Sequence, residues 1–443
     1  MKRKLLCISF RFPPETYPLA SRITYMLEKL EHDWDIEAIT AAEEAAVGES
    51  VTIHHIPART PQGLIQWFRK VRMAKLVNLF MWPDQYVFWV LPAYRKALEL
   101  IKEHKPDLIL VFMMPYSTGL IGLMLQRKTG LPVVFNLNDS PTCTDMNPSF
   151  PSRIHFNLAH WLENLFARKS EAIIYVSGRN LERVRMRQKE QDRAKFHLIR
   201  RGAKMLHRNG TRPSADAFKI VYTGGMSGWY QFLERDKKKS LLKKLIRTWE
   251  QFGRYELVKL DHRSHSPVYI GKAIKRVLEK HPEWKDLINV SVYGNRYPKH
   301  VVDQVLRKFE LEDIIDVHPP VAHEKVRTYT LEADLLFMAL PERKDKTPGG
   351  RISAKTYEYL MSDRPVLAAI PEGENREFLV DKAGIHIVDP KGVEAMAEVI
   401  EGLMARKMAG EDLSVDRSNI QSGLTNVARA SDFSKVLDEV LIS

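Results

Sequence analysis

Short apolar runs separated by segments of helical period recur along this chain, and few folds accept that alternation. Runs at 4–9, 106–112, 132–137 and 172–177 are apolar enough to be buried in a parallel sheet with helices packed above and below, and further strands are expected at 35–40 and 51–56. Helical spacing at 21–30, 94–104, 117–129 and 157–170 fills the intervals, with Ser21 and Ser117 as cap candidates. The pattern starts again at 218–222 and continues through 288–293, 314–317, 332–337, a strand opening at Pro365, and 385–388. Between these strands lie helices at about 267–280, 354–361 and 391–404, and a last helix follows at 432–441. The expectation is an α/β protein of two doubly wound, Rossmann-like domains, 1–212 and 213–420, with 421–443 a terminal helix. Ligands of such sheets bind at the carboxyl ends of strands, so the loops there carry the chemistry.

Two of those loops stand out. Residues 223–228, Thr-Gly-Gly-Met-Ser-Gly, follow a strand, and glycines at that place let backbone N–H groups approach a pyrophosphate. Residues 347–370, TPGGRISAKTYEYLMSDRPVLAAI, read as a glycine-containing loop, a short helix, a turn and a buried strand. Lys355 and Glu358 lie three residues apart and share a helix face. Two readings are open at this point: an ordinary exposed ion pair, or a cation suited to phosphate beside a carboxylate suited to hydroxyls. In the first half, the strand 132–137 ends at Asn138-Asp139-Ser140-Pro141, where Asp139 is either a turn former or a carboxylate placed for catalysis.

A formal net charge of +13 points to an acidic partner such as nucleic acid, anionic lipid or a phosphorylated substrate. No zinc-finger or RNP pattern accompanies it, so no nucleic acid is expected. Cys7 and Cys143 are the two cysteines, and their spacing makes neither a metal site nor a disulfide framework. The apolar start is cut by Arg11 and Pro13-Pro14, unlike a secretory signal, and no apolar stretch is long enough to span a bilayer; the expected location is the cytoplasm. Segment 63–82, GLIQWFRKVRMAKLVNLFMW, sets aromatic and aliphatic residues beside a cationic flank. It is either an interfacial helix at the inner face of a membrane or a helix packed on its own domain.

The string from Ile352 to Leu360, continued by Arg364-Pro365-Val366-Leu367-Ala368, resembles the K-x-x-E-Y-L … P-V-L-A signature of GT-B fold glycosyltransferases related to family 4. Elsewhere Pro13-Pro14 with Arg22, Leu162-Glu163 before the run ending in Ser177, and Glu332-Ala333-Asp334 are similar to that family's patterns. The resemblance implies two domains facing a cleft and transfer of a sugar from a nucleotide sugar to a hydroxyl of a glycan or lipid-linked acceptor. It implies a donor site of Gly224, Gly225, Arg263, Ser353, Lys355, Tyr357 and Glu358, with Glu358 on the ribose. Asp139, Lys355 and Glu358 would carry catalysis, and Glu15, Tyr17 and Arg22 would meet the acceptor. Retention of anomeric configuration, no bound metal and no cofactor beyond the donor are also implied. The chain departs from the family at Gly350, where many members have a second Glu, and over 229–265, an insertion. A GT-B epimerase or hydrolase and a noncatalytic basic scaffold for nucleic acid or membrane are the competing readings.

Overall fold

The computed structural model describes residues 2–14, 18–58, 61–70, 81–142, 145, 149–206, 217–233, 248 and 252–442. The chain divides into two compact units: Met1–Gly202 with Leu245–Leu257 and Thr425–Ser443, and Ala203–Lys244 with Val258–Leu424.

The first unit contains β1 (Arg3–Ser9), β2 (Trp34–Thr40), β3 (Val51–His55), β4 (Leu108–Met113), β5 (Val133–Leu137), β6 (Ser149–Phe150), β7 (Ala172–Tyr175) and β8 (Phe196–Leu198). Seven of them form a parallel sheet in the order β3-β2-β1-β4-β5-β7-β8. All six residues of β4 are buried, and alternate residues feed opposite cores. Ile109 and Val111 join Leu6, Ile8 and Trp89 on one face, and Leu108, Leu110 and Phe112 join Leu5, Cys7 and Phe433 on the other. That two-sided burial is why the runs are apolar throughout rather than alternating. Phe433 lies in the last helix, Asn426–Ile442, and stacks on Phe112 at 6.2 Å between ring centroids.

The second unit opens with β9 (Phe218–Thr223). The chain returns to the first unit for β10 (Tyr255–Glu256), antiparallel to β6, and re-enters the second with β11 (Leu260–Asp261). Then follow β12 (Ile288–Tyr293), β13 (Ile315–His318), β14 (Leu335–Ala339), β15 (Glu342–Arg343), β16 (Val366–Ala369) and β17 (Ile385–Val388). A six-stranded parallel sheet has the order β13-β12-β9-β14-β16-β17. Strand order reverses about β9 and β14, so the loops leaving those strands diverge at the switch point where open α/β sheets bind ligands.

Some local expectations are revised. Ser21 lies inside the helix Pro18–Leu30 rather than at its cap; Pro18 opens it, with φ preset for a first turn. Ser117 occupies the cap position of Thr118–Thr129 but makes no side-chain cap. Instead Asp84 accepts the Ser117 N–H at 2.9 Å and its hydroxyl at 2.8 Å. Among its described residues, the segment 229–265 contributes a short helix, Trp229–Leu233, and the two short strands β10 and β11. Of the basic segment 63–82, the helix Gln62–Lys70 is described, and 71–80 lie outside the described residues. Among the described residues no helix is long and apolar enough to cross a membrane.

Phe433 is fully buried, so Phe433→Ala is expected to lower stability by about 3–5 kcal/mol, read as a fall in the urea midpoint of the first unit. A change below about 0.5 kcal/mol, the range of surface substitutions, would mean that the terminal helix is not part of this core.

Candidate functional site

In the second unit the ends of β9 and β12 meet backbone to backbone. Gly224 and Gly294 have φ of +112° and +115°, and the Gly224 N–H donates to the Tyr293 carbonyl at 2.5 Å. A Cβ on Gly294 would stand 2.8 Å from Gly224 Cα, so no side chain fits. On its open side Gly224 faces Lys355, whose Nζ would lie 2.7 Å from a Gly224 Cβ. The loop predicted to cradle phosphate and the lysine predicted to bind it are thereby brought together.

Lys355 belongs to the helix Ala354–Leu360. Its ammonium sits 4.9 Å above the Tyr222 ring and has no hydrogen-bonded or ion-paired partner among the described residues. Burial pulls its pKa down, while the charge of nearby Glu358 pushes the other way. The amides of Gly225 and Met226 likewise have no acceptor among the described residues. A half-buried cation beside two unpaired N–H groups is costly by itself and becomes favourable when an anion arrives. The Glu358 carboxylate is half-buried and holds no hydrogen-bond donor among the described residues, so it is free to accept from hydroxyls.

The helix is placed by the contacts of two residues, Tyr359 and Asn375, and the turn beside it by Tyr222. Tyr359 OH accepts the Thr223 N–H at 3.0 Å, tying the helix to the end of β9. Buried Asn375 accepts from the Ser353 N–H at 3.2 Å and from the Thr356 hydroxyl at 2.6 Å. It supplies the cap that Ser353, buried at the N-cap position, does not make with its own side chain. Tyr222 OH donates to Gly225 O at 3.2 Å and meets His265 Nε2 at 2.9 Å. Tyr359 was visible within the K-x-x-E-Y-L string, whereas Asn375 and His265 carry no local signal.

Two residues grouped with the donor site from sequence have other surroundings. Tyr357 is buried in an apolar cluster with Ala203 and Met361 and packs against Phe378, because its position on the short helix turns it to the core. Arg263 forks onto Asp261, with Nε to Oδ1 at 2.9 Å and a terminal nitrogen to Oδ2 at 2.7 Å. Asp261 also takes Lys391 Nζ at 2.8 Å, and Lys391 reaches Glu342 at 2.7 Å. The Arg263 hydrogen bonds hold the Asp261 carboxyl well below the usual carboxylate range. Arg263 is thus a compensated cation, in contrast to Lys355.

In the first unit, Asp139 is half-buried just beyond β5, and its carbonyl accepts from Tyr116 OH at 3.1 Å. The corner around it is held from below by Glu163, fully buried, which accepts from the hydroxyls of Ser140 and Thr142 at 2.5 Å each. Burial pushes the Glu163 carboxyl up, and these hydrogen bonds oppose it. Arg22 is 2% exposed and donates to Asn138 Oδ1 at 3.4 Å and to Ile199 O at 3.1 Å, acting as a strut within the unit. Glu15 and Tyr17 lie outside the described residues. Among the described residues no group of His, Cys, Asp and Glu could hold a metal ion.

Comparison with known proteins agrees with this architecture. Residues 19–202 match the family described as glycosyl transferase 4-like domain. A sucrose-phosphate synthase from Thermosynechococcus elongatus is 11% identical, with all of both chains covered and a TM-score of 0.62. A glycosyltransferase from Rickettsia africae is 12% identical, with 99% of each chain covered and a TM-score of 0.59. HepE of Anabaena, solved with UDP and glucose, is 13% identical over 98% of this chain and 99% of that one, with a TM-score of 0.58. At such identities the likeness establishes the fold, which is GT-B. No curated protein sequence matches the chain.

Gly294→Ala would have to relieve both a positive φ and a clash with the Gly224 backbone, the first alone worth about 1–3 kcal/mol. It should therefore lower the melting temperature more than Gly410→Ala, where φ is +80° and the surrounding space is open. Equal shifts would show that the two strand ends do not need their close approach.

Proposed function

We propose that the chain, with a match to the glycosyl transferase 4-like domain over residues 19–202 and a GT-B fold, is a glycosyltransferase that takes its sugar from a nucleotide-sugar donor bound by the second unit. The observation that carries this reading is the uncompensated Lys355 ammonium beside the unpaired Gly225 and Met226 amides. HepE, which shares the fold, has been solved with UDP-glucose.

In this reading the two amides and Lys355 bind the donor diphosphate and stabilise the charge that grows on it as the glycosidic bond to phosphate breaks. Glu358 accepts from the ribose hydroxyls and fixes the nucleoside. Asp139 orients or polarises the acceptor hydroxyl near the reacting carbon. The acceptor is a glycan or a lipid-linked glycan, the configuration at the anomeric carbon is retained, and charge stabilisation comes from Lys355 and backbone amides without a bound metal. Proton NMR of the product's anomeric coupling, on reactions run with and without EDTA, tests both of the latter points; an inverted anomer or loss of turnover in EDTA would refute them.

The helix Gln62–Lys70 buries Ile65 and leaves Trp67 55% exposed, which supports contact with a membrane surface carrying the acceptor. Vesicles with anionic lipid should co-sediment the protein, and Trp67→Ala should reduce the bound fraction; equal binding by both would remove this helix from the contact.

Binding itself is tested by thermal shift against UDP, GDP, ADP and dTDP and their sugars. A ligand of the native state raises the melting temperature, by about 2.7 kcal/mol of added stability at a hundredfold excess over Kd. One nucleotide family is expected to stabilise the wild type, with the effect lost in Lys355→Ala and weakened in Glu358→Ala. Absence of any shift at millimolar concentrations would overturn the reading.

A further inference from the structure

The insertion returns two histidines to the turn after β9. His262 Nδ1 lies 3.0 Å from Ser227 Oγ, and Ser227 Oγ lies 2.8 Å from His265 Nδ1. His265 Nε2 is 2.9 Å from Tyr222 OH, which in turn reaches Gly225 O at 3.2 Å. The backbone reinforces the arrangement, since the N–H groups of Ser227 and Gly228 both donate to His265 O.

Proton bookkeeping gives this chain one direction. Gly225 O can only accept, so the Tyr222 hydroxyl spends its proton there and its oxygen must accept from His265 Nε2–H. A neutral imidazole protonated at Nε2 leaves Nδ1 bare, and Nδ1 accepts from the Ser227 hydroxyl. The Ser227 oxygen then accepts from His262 Nδ1–H. Every donor in the chain is used once.

The charged groups acting on His265 are Lys355, Arg351 and His262, all cationic or able to become so. Burial first, and then these charges, push its pKa down to about 3. A protonated ring would place another positive charge beside Lys355 and reverse the hydrogen bond to Ser227. A neutral histidine offers a donor and an acceptor at opposite corners of a rigid ring without adding charge to a cationic pocket.

We propose that His265 is a positioning residue of the turn 224–227: held as the neutral Nε2–H tautomer, it ties the end of the insertion through Tyr222 and Ser227 to the Gly225 peptide. With the Gly225 carbonyl engaged by Tyr222, the amides of Gly225 and Met226 are kept for an anion. The inference deepens the donor-site reading and rests on it for the identity of that anion.

The test uses the full-length chain. In protein labelled with 15N-histidine, the His265 signals, assigned by their loss in His265→Gln, should show a bare Nδ1 and a protonated Nε2 and should not titrate between pH 5 and 8. A ring that titrates near its ordinary value overturns the proposal. Calorimetric titration then uses whichever nucleoside diphosphate stabilises the wild type. His265→Phe and Tyr222→Phe should each weaken binding by about tenfold, as expected for loss of hydrogen bonds in a linked set, and the double variant by little more than either alone. His265→Gln, whose amide can donate and accept, should recover part of the loss and provides a second variant should the phenylalanine protein fail to fold. Wild-type affinity in folded His265→Phe, or losses that multiply in the double variant, would overturn the proposal. Lys355→Ala separates the two ideas: binding lost there but kept in His265→Phe refutes the histidine's role alone, and a wild type that binds no nucleoside diphosphate refutes the donor reading.

Discussion

The second unit depends on a contact that contains no side chain, the approach of Gly224 to Gly294 at the ends of two neighbouring parallel strands. Strands β9 and β12 run side by side in register, so their last residues reach the same edge of the sheet. Gly294 must lack a Cβ for the two turns to close on one another, and Gly224 must lack one to leave room for the ammonium of Lys355. Tyr359 and Asn375 fix the helix that delivers that lysine. The hydrogen bonds of the arrangement leave the amides of Gly225 and Met226, next along the chain from Gly224, without an acceptor among the described residues.

Charge is distributed unevenly for a physical reason. Arg263, Asp261, Lys391 and Glu342 form a closed network in which each cation has carboxylate oxygens at hydrogen-bonding distance. Drawing Arg263 out would leave the nearly fully buried Asp261 with Lys391 as its remaining cation. Lys355 has no such partner, and His265 beside it stays neutral. The Lys355 ammonium, held over Gly224, is therefore left for an anion such as a diphosphate, with the Glu358 carboxylate nearby for hydroxyls. In the first unit the opposite problem is solved by hydroxyls: Glu163 is kept in the core by Ser140 and Thr142, and the corner bearing Asp139 is held in place as a result.

Much of the fold was legible in the sequence because it is written in local period. The runs that became β1, β4 and β5 were identifiable from apolar residues alone, since strands covered on both faces need little else. The two-residue strands β6, β10, β11 and β15 were not, because two residues carry no period and their pairing is decided by partners far along the chain. Cap assignments at Ser21 and Ser117 missed for a related reason: the first helix begins earlier, at Pro18, and the Ser117 hydroxyl is taken by Asp84, far away in sequence.

The site divides along the same line. Sequence alone determined which residues could do the chemistry: a lysine and a glutamate three apart, a glycine turn after a strand, an aspartate at a strand end. These are properties of neighbours within a few residues. Tertiary structure alone decided which of them meet and which are already occupied. It joined Lys355 to Gly224 through the order of strands β12, β9 and β14, turned Tyr357 into the core, and neutralised Arg263 with Asp261. It also brought His265 from the insertion to Tyr222 and Ser227. Pairings across a sheet follow from strand order and from the exclusion of water, and neither is a property of any short stretch of chain.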